Sequence, residues 1–121
     1  MEKLNSMEHK QMNDDVKGYI SHYNDEILKL FLTLREQIIN SIPSDIEEKL
    51  WAKIPSYYLD KKFIRLIPFQ DHINVEAAAI LEHKNELLQY KITPKGMLQI
   101  YNKQQLPTEV LSVIFKETLL G

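Results

Sequence analysis

The stretch FIRLIPFQDHINVE, residues 63–76, decides the fold of this chain. Apolar and polar side chains alternate in it on both sides of Gln70-Asp71, a pattern typical of two β-strands joined by a tight hairpin. With Gln70-Asp71 as a two-residue loop, the antiparallel register is fixed. It pairs Phe69 with His72, Ile67 with Asn74, Arg65 with Glu76, and Leu66 with Val75.

The same register sorts the hairpin into two faces. One face is apolar and is expected to meet the core: Ile64, Leu66, Ile73 and Val75. The other, mixed face carries Phe63, Arg65, Ile67, Phe69, His72 and Asn74. Because the mixed face is more apolar than an ordinary solvated surface, we expect it to pack against another element or to bind a partner.

Helices are predicted before the hairpin. Apolar residues recur there twice with helical spacing, which indicates a helix from Asp14 or Asp15 and a longer one that ends at Pro43. Ser44 and Glu47 match a capping box, so one or two further helical turns are expected before the chain becomes extended.

The part after the hairpin alternates between helix and strand. Residues 77–90 have helical periodicity, residues 97–102 are typical of a strand, and Leu106-Pro107 opens a final helix. The predicted fold is therefore α+β, with a small antiparallel sheet that has helices on one face.

Length and composition indicate one domain. The chain has 121 residues, of which 44% are hydrophobic and 26% charged, as in an ordinary globular protein. Residues 1–13 have no apolar periodicity and are expected to be flexible, which leaves residues 14–121 as the domain. A net charge of −2 gives no overall attraction to nucleic acid or to an anionic membrane, so neither partner is expected.

Several chemistries are excluded by residue types. The chain has no cysteine, which removes disulfide scaffolds, thiolate metal sites and a cysteine nucleophile. Its three glycines are too scattered for a phosphate-binding loop. No apolar run approaches the length of a membrane span, and a cytoplasmic location is expected.

Aromatic and basic side chains concentrate in and around the predicted strands. As a recognition surface they would hold an anionic ligand or a partner carboxylate against a cation among rings. As ordinary core they would pack under the helices, and a buried Arg65 would need Glu76 as its counter-ion. The candidate ligand-binding residues are Trp51, Lys53, Tyr57, Tyr58, Arg65 and His72.

Whether the chain is an enzyme is left open by its sequence, although a binding protein is favoured. No serine has a recognisable nucleophile signature, and no catalytic residue is assigned. An enzyme would require His72, Arg65 and Glu76 to converge on one point as acid, anion holder and base.

Acidic residues near the start of the first two helices are the candidates for a metal site. His22 and Glu26 lie one turn apart if the helix continues through Asn24, and Asp25 would add another oxygen ligand. The alternative is that Asp25 begins a new helix and His22 is simply exposed.

The segments LWAKIPSYY (50–58), FIRLIPF (63–69) and DHIN (71–74), in this order, resemble the YdhG-like family. The resemblance spans residues 16–119, includes the Lys95-Gly96 turn, and departs from the usual pattern at Lys53, where glycine is common. It implies a frataxin-like α/β sandwich. Because a member of this family is described as an intracellular iron chaperone, it also implies a weakly bound iron.

The resemblance would place that iron on the acidic surface of the first helices, at Asp14, Asp15, Asp25 and Glu26. Two functions thus remain open. One is a non-enzymatic iron chaperone, and the other is a module that binds a small ligand or docks a protein on the mixed sheet face.

Overall fold

The computed structural model describes residues 11–121 as helices packed on one face of a six-stranded antiparallel sheet. This confirms the predicted α+β fold, while most of the segment expected to be flexible, residues 1–10, lies outside the described residues. The helices are α1 (Asp14–Ile20), α2 (Asp25–Ser41) and α3 (Thr108–Leu120), with a 3₁₀ segment at Ala78–Glu86. The strands are β1 (Glu47–Trp51), β2 (Ile54–Leu59), β3 (Lys62–Pro68), β4 (His72–Ala77), β5 (Lys91–Ile92) and β6 (Leu98–Tyr101), in the sheet order β1-β2-β3-β4-β6-β5.

Asparagine side chains begin the first two helices. The side chain of Asn13 accepts hydrogen bonds from two amides in the first turn of α1, and Asn24 accepts one from the Ile27 amide in α2. Such caps satisfy amides that have no partner inside the helix. The second helix stops at Ser41, two residues before Pro43, as its sequence predicts.

The hairpin of β3 and β4 has the predicted register. Arg65 pairs with Glu76, Leu66 with Val75 and Ile67 with Asn74. The loop is closed by a hydrogen bond of 2.8 Å from the Phe69 amide to the His72 carbonyl. The period-two pattern of residues 63–76 was therefore enough to align the two central strands.

The core lies between the helices and one face of the sheet. The strand side chains that point toward the helices are almost fully buried, and α2 and α3 supply the opposing layer. The central members of this core are Phe31, Leu34, Ile64, Leu66, Ile73, Val75, Ile114 and Phe115.

A buried polar network ties the first helices to the edge of the sheet. Glu48 of β1 accepts hydrogen bonds from Arg35 Nε at 2.6 Å, from the Tyr57 hydroxyl at 2.8 Å and from the Asn13 amide at 2.8 Å. Burial acts to raise the pKa of Glu48, but these hydrogen bonds outweigh it and hold the pKa below its usual value.

Two predicted helices are wrong. The capping-box turn after Ser44 does not form, because β1 begins at Glu47 and pairs with β2. Within residues 77–90 the chain forms 3₁₀ turns at Ala78–Glu86 instead of an α-helix, with non-helical dihedral angles at His83. As a result Leu81 and Leu88, which helical periodicity placed on the inner side, are 56% and 82% exposed.

Candidate functional site: an open sheet face

The sheet has a second face, which no element among residues 11–121 covers. We call it the open face, and the strand register arranges its side chains in four rows across the sheet. The first row is Glu47, Tyr58 and Phe63, and the second is Lys49, Ser56, Arg65 and Glu76. The third row is Trp51, Ile54, Ile67, Asn74, Gln99 and Lys91, and the fourth is Phe69, His72 and Tyr101.

Arg65 lies at the centre of one aromatic cluster on this face. Its guanidinium carbon is 3.9 Å from the centroid of the Trp51 ring and 3.8 Å from that of Phe63. Both flat sides of the guanidinium are therefore covered by rings, at distances where cation–π attraction is strong. This clamp holds Arg65 in one conformation.

The nitrogen atoms of Arg65 are engaged within the sheet. Nε donates to the Ser56 hydroxyl and Nη2 to the Tyr58 hydroxyl, each at 3.2 Å. Nη1 lies 3.6 Å from a carboxylate oxygen of Glu76. Arg65 is only 8% exposed, so Glu76 supplies the counter-ion that a buried arginine requires.

A second aromatic cluster forms the fourth row. The rings of Phe69 and His72 stack at 4.5 Å with an interplanar angle of 10°, and Tyr101 lies 4.9 Å from His72 on the other side. The Nδ1 atom of His72 is 2.7 Å from a carboxylate oxygen of Asp71. The imidazole is thus fixed in orientation by two rings and one carboxylate.

Asn74 lies between the two clusters, in the third row. Asn74 is 8% exposed, and its Oδ1 atom is buried without a hydrogen-bond partner in the described part of the chain. Leaving a buried acceptor unpaired costs on the order of 1–3 kcal/mol. Buried polar atoms without a partner are uncommon in folded proteins.

The open face exposes large aromatic side chains. Trp51, Phe69 and Tyr101 are 50%, 42% and 37% exposed, although each contacts another side chain of the face. Large apolar side chains grouped on one surface are a mark of interaction sites.

The predicted ligand-binding residues are divided between four places. Trp51, Tyr58 and Arg65 come together in the first cluster, and His72 lies in the second. Lys53 is exposed in the left-handed turn that joins β1 to β2. Tyr57 does not belong to the open face, because strand alternation turns it toward the helices, where it is fully buried against Glu48.

The acid, base and anion holder that an enzyme would need do not converge. Arg65 and Glu76 are neighbours, but His72 and Glu76 lie four residues apart on one strand, which separates them by about 13 Å. The spacing along β4 does not bring these two side chains together.

The candidate metal ligands lie at two separate helix starts. Asp14 and Asp15 are in the first turn of α1, and Asp25 and Glu26 are in the first turn of α2. Carboxylates at these positions offset the positive end of the helix dipole.

The helix does not continue through Asn24, so His22 and Glu26 do not share a helix face. The Nδ1 atom of His22 lies 3.0 Å from the Gly18 carbonyl. Between residues 11 and 121 there is no group of three or more histidine, cysteine, aspartate or glutamate side chains that could hold a metal ion.

The sequence did not reveal the second aromatic cluster or the role of Asn74. Both depend on β6 pairing with β4, which places Tyr101 beside His72 and Gln99 beside Asn74. The strand at residues 97–102 was predicted, but nothing in its sequence specified its neighbour. Its alternation of Leu98 and Ile100 with polar residues was the available signal.

Comparison with family models, with curated proteins and with solved structures found no match to this chain. The resemblance to the YdhG-like family therefore stays a prediction. Within residues 11–121, no helix is both long and apolar enough to span a bilayer. By its fold, the protein belongs to the class of α+β domains with helices on a single face of an antiparallel sheet.

Proposed function

We propose that this protein is a non-enzymatic docking module that binds another protein through the open face. The observation that carries the proposal is an arginine clamped between two rings on a sheet face that also exposes Trp51, Phe69 and Tyr101. Tryptophan, tyrosine and arginine are the residue types that dominate the energetic centres of protein interfaces.

The rigidity of these side chains supports protein binding in particular. Arg65 is held by two rings and by the hydroxyls of Ser56 and Tyr58, and His72 is held by Phe69 and Tyr101. Side chains that are already ordered lose little conformational entropy on association. The two ring clusters and Asn74 extend across the strands of one sheet face, an arrangement that suits a protein partner, whereas a small molecule generally requires a concave site.

Peptide selection tests this proposal. Peptides selected from a random library on the wild-type protein are expected to bind the open face, because it holds the most favourable contact residues. Trp51→Ser or Phe69→Ser should then weaken their binding at least tenfold, on the order of the loss of one interface anchor.

Leu32→Ser is the matched control. Leu32 is 40% exposed, close to the value for Phe69, but it lies on α2, which packs on the opposite side of the sheet. Circular dichroism should confirm that all three variants are folded. Selected peptides that bind W51S and F69S as tightly as the wild type would contradict the proposal.

A further inference from the structure

The second row of the open face carries opposite charges on its two central strands. Arg65 of β3 lies beside Glu76 of β4, with 3.6 Å between Nη1 and the nearest carboxylate oxygen. The Glu76 side chain is 36% exposed, so its carboxylate can accept further hydrogen bonds. A surface with this arrangement is complementary to a second copy of itself.

A two-fold axis between two stacked open faces illustrates this complementarity. If the axis runs parallel to the strands, between β3 and β4, each row stays at its height while the strand order reverses. Arg65 of each copy then lies over Glu76 of the other. The same operation brings Trp51 on the edge strand β1 over Lys91 on the opposite edge strand β5.

Both contacts between the copies would be attractive. One is an ion pair between guanidinium and carboxylate, formed twice by symmetry, and the other is a cation over an indole ring, also formed twice. Asn74 lies beside the axis on β4, and the same operation places it over Ile67 of the second copy, so the two charged contacts carry the complementarity.

The size of the face sets the expected strength of such a dimer. Six strands about 4.8 Å apart and four rows about 7 Å apart give roughly 600 Å² per copy, near the lower limit for specific interfaces. Stacked sheets of two copies would lie about 10 Å apart, a distance that facing side chains can bridge.

We propose that the open face is an interface between two copies of this chain, related by a two-fold axis that pairs Arg65 with Glu76 across the dimer. This inference rests on the proposed function, because it names the partner for the same surface. Because the face is near the lower size limit for specific interfaces, we expect the dimer to form only at high protein concentration.

Sedimentation velocity from low micromolar to millimolar concentration is the first test. The apparent mass should rise from 14.3 kDa toward twice that value as concentration increases. Phe69→Ser should lower the dimer population at least tenfold, and Leu32→Ser on α2 should leave it unchanged. A wild-type protein that is monomeric throughout, or equal dimerisation of F69S and the wild type, would overturn the inference.

Charge reversal provides the second test. The R65E variant carries only acidic groups at the paired positions and the E76R variant only basic groups, so each should repel its own copy and sediment as a monomer. An equimolar mixture of the two should form dimers, because every cross-dimer pair is then of opposite charge. A loss of structure within one chain cannot produce this rescue.

The variants must be folded, which circular dichroism and thermal unfolding verify. If R65E does not fold, Lys91→Glu is the alternative, since Lys91 is exposed on a two-residue edge strand and faces Trp51 of the second copy. It should weaken the dimer without affecting stability. A dimer insensitive to K91E, or a mixture that stays monomeric, would overturn the pairing.

The failures of the two proposals are distinguishable. A monomer at every concentration overturns only the dimer. The docking function itself fails when selected peptides bind independently of Trp51 and Phe69.

Discussion

Asn74 differs from the other buried polar side chains of the described region in having an atom with no partner. Arg35 and Glu48 bind each other, Arg65 donates to Ser56, and the Thr118 hydroxyl accepts from a backbone amide. The partner of Asn74 across β3 is Ile67, which offers no hydrogen bond from its side chain. On its other side the register places Gln99 of β6, whose side-chain amide does not bond to Oδ1 either.

Replacing Asn74 tests whether its unpaired Oδ1 atom lowers the free energy of unfolding. Leucine has nearly the same shape, and Asn74→Leu removes a buried acceptor without opening a cavity, so we expect the free energy of unfolding to rise by about 1–3 kcal/mol. Urea denaturation measures the change. Gln99→Leu in the same row is the control and should alter stability by less than about 0.5 kcal/mol. A destabilised N74L protein would mean that Oδ1 has a partner.

For Glu48 we expect replacement to lower the stability of the protein, because its carboxylate is fully paired. Burial raises its pKa, but the hydrogen bonds from Arg35, the Asn13 amide and Tyr57 lower it further than burial raises it. A carboxyl group with a lowered pKa in the folded state stabilises the protein above its unfolded pKa, here near 4.5. That stability is lost as pH falls through the lower, folded pKa.

The E48Q variant isolates this contribution. At neutral pH, Glu48→Gln should reduce the free energy of unfolding by about 3–5 kcal/mol, because it removes the buried carboxylate that pairs with the Arg35 guanidinium. The difference from the wild type should shrink as pH is lowered below about 4.5. Urea midpoints from pH 7 down to pH 3 provide the measurement, with Glu47→Gln, an exposed neighbour, as control. A difference that does not depend on pH would contradict the assignment.

At the scale of elements, the 3₁₀ segment is joined to α3 by His83. Its Nδ1 atom lies 2.6 Å from Glu86 and its Nε2 atom 2.7 Å from Glu117. The hydrogen bond to Glu117, followed by that to Glu86, raises the pKa of His83 above 6.5. The protonated imidazole can donate to both carboxylates at once, so the junction is tightest when His83 is charged.

The stability of this junction is expected to depend on pH. A histidine whose folded pKa is raised contributes fully below its unfolded pKa, near 6.5, and loses that contribution as pH rises through the folded value. Amide exchange in residues 78–86, corrected for its intrinsic pH dependence, should therefore show more frequent opening at pH 9 than at pH 6. His83→Gln should abolish the difference. Equal opening at both pH values would contradict this role.

The hairpin and the 3₁₀ segment show which elements can be predicted from sequence. In residues 63–76 the period of two, the loop length and the strand partner are all local, so the register followed from the residues themselves. In residues 77–90, Ile80 and Leu87 have helical spacing, and both are buried. The contacts that determine the backbone conformation of this segment come from α3. The spacing of apolar residues indicates which side chains are buried. Contacts with distant parts of the chain determine whether the backbone is α-helical or 3₁₀.

The candidate site was predictable to a similar extent. Trp51, Arg65 and Glu76 were named from the hairpin and the aromatic residues near it, and Tyr57 was named with them although it faces the helices. The alternation within β2 could have corrected this, since Tyr57 and Tyr58 must face opposite ways. The partnership of His72 with Tyr101 could not be derived, because it joins strands that are distant in sequence.

For the whole molecule, function depends on how the two faces of the sheet are used. In the part of the chain that the structure describes, the three helices and the 3₁₀ segment pack on one face and form the core with the sheet. The other face carries exposed aromatic rings around the buried Arg65. The core thus accounts for stability, and the open face is available for binding.

The iron role implied by the YdhG-like resemblance makes a separate prediction at this scale. Asp14 and Asp15 lie at the start of one helix, Asp25 and Glu26 at the start of another, and the part of the chain from residue 11 onward has no three-ligand group for a metal. Because isolated carboxylates hold divalent iron weakly, we expect anaerobic ferrous titration to give no binding tighter than millimolar. Binding in the micromolar range that disappears on Asp25→Ala and Glu26→Ala, but persists in W51S, would favour the chaperone function over docking through the open face.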